Sequence, residues 1–184
     1  MTLAMKTMNL RVPLIFITLA APSFMFAALT PAEIKTLPPS QIEAKLPGEH
    51  PSSYYSYANR LFFERKKDEA ILWFYVGQLR YRIHLKAKPP SDPSGDPALF
   101  GSLNATLGQI FNEYAGGDPK MWATQITNAL AWDAAHPNEF TQKKEFQAIH
   151  TEIRTGLEKF AKQIEDTTNK IREERKKRGL ENRG

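Results

Sequence analysis

No cysteine occurs in the 184 residues, which removes disulfides, thiolate nucleophiles and Cys-built zinc or iron–sulfur sites together. Histidine is nearly as scarce. His50, His84, His136 and His150 are scattered, and no two share the i, i+4 spacing by which a helix offers two ligands on one face. The spacing predicts no metal site and no cofactor. His84 reads as a partner for the last carbonyls of its helix, and His136, before Pro137, as a helix terminator. Phosphate-cradling glycine loops, the G-x-S-x-G elbow and the S-x-x-K signature are all missing. Glu113 and Asp118, on either side of Gly116-Gly117, are the pair of carboxylates nearest to a hydrolytic arrangement, although helix capping accounts for them more simply.

Charge is present but unevenly placed. The formal net charge is +5 and the pI about 9.4, values that point to nucleic acid until the charges are located. Seven basic and three acidic residues in 170–184 give that tail a net +4, and Lys6 with Arg11 supply two more at the other end. Residues 12–169 are then left at −1, so basicity belongs to the tail and not to the body. The tail has no aromatic residue on which a base might stack, which argues against nucleic acid and leaves a solvated helix end or attraction to an anionic membrane surface.

Residues 1–27 have the layout of a secretion signal: Lys6 and Arg11, an apolar run Val12–Ala21, Pro22, then Phe24–Ala28 with a cleavage site near Ala27 or Ala28, although Met25 or Phe26 three positions before the cut is bulkier than the usual small residue. The expected location is a bacterial periplasm. Residues 28–50 form an N-terminal arm of short helical turns, with Thr30 capping ahead of Pro31 and Ser40 capping after Pro38-Pro39.

The helical domain spans 51–169. Ser52 or Ser53 is expected to cap a first helix through Arg65, and Asp68 a central helix to Lys86 whose run Ala70–Val76 is apolar on every side. After the loop Lys88–Pro97, one helix is expected to carry Leu99, Leu103, Leu107, Ile110, Phe111 and Tyr114 on one face as far as Gly116-Gly117. Asp118 then caps a helix with Trp122, Ile126, Ala129 and Leu130 inward. A last helix from about Asn138–Thr141 carries Phe146, Ile149, Ile153, Leu157, Phe160 and Ile164. Beyond Ile171 no apolar face remains, and 170–184 is expected to fray.

Tyr54, Tyr57, Ala58 and Leu61, followed by Ala70, Phe74 and Gly77, resemble the spacing of a tetratricopeptide or Sel1-like repeat, with Arg82 where the closing proline would stand. The resemblance covers residues 54–77 and implies an antiparallel hairpin whose first helix lines a concave surface. Tyr55, Asn59, Phe62 and Phe63, with Ser52, would lie on that surface as partner-binding residues.

The whole reads as an all-α, single-domain bundle of about five main helices with one such hairpin and a long C-terminal helix. The expected function is non-enzymatic: an exported protein-interaction module, either an immunity-type inhibitor of an envelope-targeted toxin or an envelope assembly adaptor. An envelope hydrolase whose carboxylates converge in the fold, and a membrane-surface protein acting through 170–184, are the alternatives.

Overall fold

A computed structural model describes residues 28–184, and the expected secretion signal, residues 1–27, lies outside them. The fold is all-α. Its elements are α1 (Pro31–Thr36), α2 (Pro39–Lys45), a 3-10 turn (Leu46–Gly48), α3 (Pro51–Phe63), α4 (Lys67–Ala87), α5 (Asp96–Leu103), a π turn (Asn104–Gly108), α6 (Gln109–Gly116), α7 (Pro119–Ala135), α8 (Gln147–Asp166) and α9 (Thr168–Lys177). Helix α4 is the axle. It packs against α3, α6, α7 and α8, and Ile71, Phe74, Val76 and Leu79 are buried on its different sides. Each such side chain stabilises the fold by about 1.5–3 kcal/mol relative to exposure.

Helices α3 and α4 form an antiparallel hairpin. Arg65 takes a left-handed conformation at φ 67°, and the Lys66 amide reaches back to the Leu61 carbonyl at 3.0 Å, which closes α3 with a Schellman bond. The helices approach most closely at Gly77. A Cβ there would lie 3.0 Å from Tyr54 Cβ and 3.0 Å from Tyr55 Cδ2, so this position has no room for a side chain. Phe74 fills the adjoining gap against Tyr55.

Local capping follows the sequence at some ends and departs from it at others. Thr30 and Glu33 make a reciprocal capping box, Asp118 accepts from the Met121 amide, and His136 ends α7. Asp68 is not the cap of α4, which begins at Lys67; the Asp68 carboxylate instead accepts from the Tyr114 hydroxyl. Ser40 falls inside α2, whose cap position is Pro38. Neither Ser52 nor Ser53 caps α3. His50 does, its Nδ1 accepting from the Ser52 amide.

Three larger differences change the architecture. The face expected to run unbroken from Leu99 to Tyr114 is interrupted by the π turn, so Leu99 and Ile110 are exposed. Residues 138–146 form no helix; Asn138 and Thr141 are buried in a tight turn that leads into α8 at Gln147. The tail does not fray: α9 continues to Lys177, and beyond it the Arg183 amide donates to the Gly117 carbonyl while its guanidinium sits 3.5 Å from the Tyr114 ring centroid.

Polar groups are also built into the core. Arg80 of α4 and Asp133 of α7 are both fully buried and pair at 3.0 Å. The remaining Arg80 donors go to the Tyr54 hydroxyl and the Pro47 and Pro137 carbonyls, and Arg154 and Lys143 approach Asp133 from the other side. Sequence periodicity marked α4 as apolar and did not pair Arg80 with Asp133, 53 residues away.

Candidate functional site

The residues expected on a concave binding surface are not displayed together. Tyr55 is buried, its ring beneath Phe74 and Tyr81 and its hydroxyl donating to Asn104 Oδ1 at 3.3 Å. Phe62 packs on Phe111 and Tyr114 of α6, and Ser52 is engaged with His50. Asn59 is half-buried, and Phe63 alone of the set is open, at 79% exposure. The expected surface fails because the α5–α6 arm packs against this side of the hairpin, which the periodicity of α3 cannot reveal.

The arm creates a different concavity. Helix α8 lies on the other side of α4, and between α6 and α8 runs an open groove of about 730 Å³. Its floor is the polar edge of α4, Tyr75 and Gln78, with Arg82 exposed at the rim, and its walls include Asn112 and Lys159. Through Asn112 it adjoins a second hollow of about 590 Å³, lined by Trp122, Lys170 and Arg175 among others.

The π turn sets this floor. Eight residues of regular helix advance about 800°, which would leave Asn104 and Asn112 roughly 80° apart around the axis. A π turn absorbs one extra residue, so the two asparagines are separated as if by seven, within about 20° of one face. Both then meet α4: Gln78 donates to Asn104 Oδ1 at 2.7 Å, and the Tyr75 hydroxyl donates to Asn112 Oδ1 at 3.0 Å while accepting from Trp122 Nε1 at 2.8 Å. The Asn104-Ala105-Thr106 triplet sits in this turn, with Asn104 occupied on the inside.

A second constellation lies where α3, α4 and α5 meet. Asp96, the first residue of α5, accepts three hydrogen bonds: from His50 Nε2 at 3.1 Å, His84 Nε2 at 3.2 Å and the Tyr81 hydroxyl at 3.0 Å. Burial alone would raise the Asp96 carboxyl, but the Tyr81 hydroxyl and the two imidazoles outweigh it and hold it below the ordinary carboxylate value. Burial lowers His84, and Asp96 only partly restores it. Phe140 covers both rings, with centroids 4.9 Å from His50 and 4.8 Å from His84. The expectation that His84 serves its own helix end, and that no metal-ligating set exists, is thus corrected: His50, His84 and Asp96 bring one ligating atom each within 4.8 Å of the others. Separations of 46 and 12 residues along the chain hid this set from any spacing rule.

Ser52, His50 and Asp96 also stand in the order of a proton relay, with Ser52 Oγ 2.7 Å from His50 Nδ1. The amides that would flank a developing oxyanion there are already used: the Ser52 amide donates to His50 Nδ1 and the Ser53 amide to the His50 carbonyl. Glu113 is exposed, and the Asp118 carboxylate is used as the cap of α7.

No protein-family model matches the chain, and no solved structure does. An uncharacterized protein of Haemophilus influenzae is 30% identical over 94 residues, a stretch that amounts to 48% of this chain and 34% of that protein's length. The chain therefore matches about a third of that relative.

Proposed function

We propose that the chain is exported and acts as a non-enzymatic protein-interaction module, seating an acidic segment of a partner in the groove between α6 and α8. The observation that carries this reading is the groove itself: open, floored by polar side chains held by Asn104 and Asn112, and rimmed by cations. Arg82 and Lys159 make no ion pair among the described residues, whereas Glu152 at the same rim is paired with Lys86. Unpaired cations beside a polar floor favour a partner that brings carboxylates. The partner class fits an immunity-type inhibitor of an envelope-targeted toxin as well as an envelope assembly adaptor.

The hydrolase alternative requires a carboxylic acid held protonated near neutrality. The carboxylates with displaced titration among the described residues, Glu33, Glu64, Asp92, Asp96 and Glu174, are all displaced downward by hydrogen-bond donors. The membrane-surface alternative has two of its arginines held against the fold, because Arg175 donates to the Glu113 and Glu181 carbonyls and Arg183 to that of Tyr114.

A photo-crosslinking residue placed at Gly156, on the groove wall, tests the proposal in the native host. The expected result is one discrete protein adduct, recovered with the exported fraction and lost when Arg82→Glu and Lys159→Glu reverse the rim charge. No adduct, or one indifferent to that reversal, overturns it.

A further inference from the structure

Beyond the groove, we propose that His50, His84 and Asp96 form a site for one divalent transition-metal ion of the zinc type, held by two imidazoles and a carboxylate with a position left for water. The donor set is the first argument. Imidazole nitrogen with carboxylate oxygen suits zinc, cobalt and nickel, whereas calcium and magnesium take oxygen donors. Three protein ligands with a fourth, open position is the usual form of a zinc site that is not purely structural.

Spacing is the second argument. Metal bonds of about 2.0–2.1 Å in a tetrahedron set neighbouring ligand atoms roughly 3.3 Å apart. The two Nε2 atoms already lie 3.1 and 3.2 Å from the carboxylate oxygens of Asp96, and all three donors fall within 4.8 Å. A cation replaces the two Nε2 protons that now point at Asp96, and the three side chains need little movement.

The groups behind the ligands are the third. A ligating imidazole must carry its proton on the far nitrogen and needs an acceptor there. His84 Nδ1 faces the Thr141 hydroxyl at 3.2 Å, and His50 Nδ1 faces the Ser52 hydroxyl at 2.7 Å. Each hydroxyl can accept from that far nitrogen, and at His50 the shift of the proton to Nδ1 exchanges the Ser52 amide, from which Nδ1 now accepts, for the Ser52 hydroxyl. Thr141 is itself fixed: it is buried, its amide accepts nothing but donates to Asn138 Oδ1 at 3.0 Å, and its carbonyl receives His150 Nε2 at 3.1 Å. Tyr81 orients Asp96 in the same way. The site thus has ligands from three separate elements, a hydroxyl behind each ring and the Phe140 face over both. Its side chains retain 28% exposure for His50, 12% for His84 and 30% for Asp96, which gives an ion and its water a way in.

The test uses the purified protein without a histidine tag, with Zn2+ alone in calorimetry and Co2+ alone in absorption spectroscopy. The expected results are one Zn2+ per chain and the intense visible bands of low-coordinate Co2+. Both should be lost in Asp96→Asn and His84→Gln. Thr141→Val, which removes only the hydroxyl behind His84, should weaken Zn2+ by about 10–100-fold. Should His84→Gln fail to fold, His50→Gln and Asp96→Asn carry the same test. The proposal is overturned by the lack of a stoichiometric ion, by an octahedral Co2+ spectrum, or by binding that these variants leave unchanged. None of these outcomes bears on the groove, whose crosslink is read separately.

Discussion

Two polar clusters flank α4, and they solve the problem of charge in opposite ways. Around Asp133 three cations, Arg80, Arg154 and Lys143, converge on one fully buried carboxylate, and the donors of Arg80 are distributed over Asp133, a hydroxyl and two carbonyls. Nothing there is free to exchange. Around Asp96 the carboxylate faces two imidazoles and a phenol, partly open to solvent, and each imidazole has a hydroxyl within reach of its far nitrogen. The first cluster is closed and holds α4, α7, α8 and the turn at Pro47 together. The second has protons that an ion can displace. Position within the fold makes the difference, since both clusters are anchored on α4, four residues apart at Arg80 and His84.

Breaking the closed cluster gives the largest expected effect. Asp133→Ala leaves Arg80 buried without its counter-charge and should cost about 3–5 kcal/mol of unfolding free energy, read by chemical denaturation. A loss under 1 kcal/mol would mean that water reaches Arg80 and that the cluster is less closed than its geometry indicates. The open cluster should be far more forgiving. Asp96→Ala, measured in the presence of a chelator, should cost about 1 kcal/mol, because the imidazoles and Tyr81 recover part of their hydrogen bonding from solvent. Equal losses at the two aspartates would erase the distinction.

The smallest effect sharpens the boundary between them. His150 packs between the clusters, its Nε2 on the Thr141 carbonyl and its buried Nδ1 with no partner, near Asp133, Lys143 and Arg80. Burial lowers its titration below the ordinary value of 6.5, an effect that the Thr141 carbonyl and Asp133 offset only in part. The unfolded chain therefore takes up this proton first. The contribution of His150 to stability is complete above pH 6.5 and declines as the pH falls below it. Melting temperatures at pH 7.5 and pH 5 should differ more for the native protein than for His150→Gln, and parallel profiles would show that the ring protonates without penalty.

What the sequence made legible was local. The Thr30 cap, the Asp118 cap, the His136 stop and the inward stripe Leu157–Ile164 each depend on residues within a turn or two of one another. The apolar run of α4 announced a central helix for the same reason. Both polar clusters escaped, because Arg80 meets Asp133 across 53 residues and His50 meets Asp96 across 46. Arg80 carried one faint signal, a charged side chain on a helix that had no face left for solvent. The groove escaped as well, since apolar periodicity assumes a regular helix and α5–α6 is not one. The order of the tail depends on Tyr114 and Gly117, more than 60 residues upstream of Arg183, which no pattern within 170–184 contains.

The π turn makes chain length at one point a determinant of surface chemistry. A residue removed from the exposed loop 88–95 shortens a connection and leaves both helical walls where they are. A residue removed from 104–108 restores regular helix and keeps the face, because the two asparagines are then seven positions apart and Asn112 still meets Tyr75, whereas a residue removed from 109–111 leaves the π turn in place and turns everything after it by about 100°. A single-codon deletion just past the turn thus moves the Asn112 wall off the groove with no substitution at all. Among relatives of this chain, seven residues of regular helix between the two asparagines are therefore equivalent to eight with a π turn, and other spacings are not.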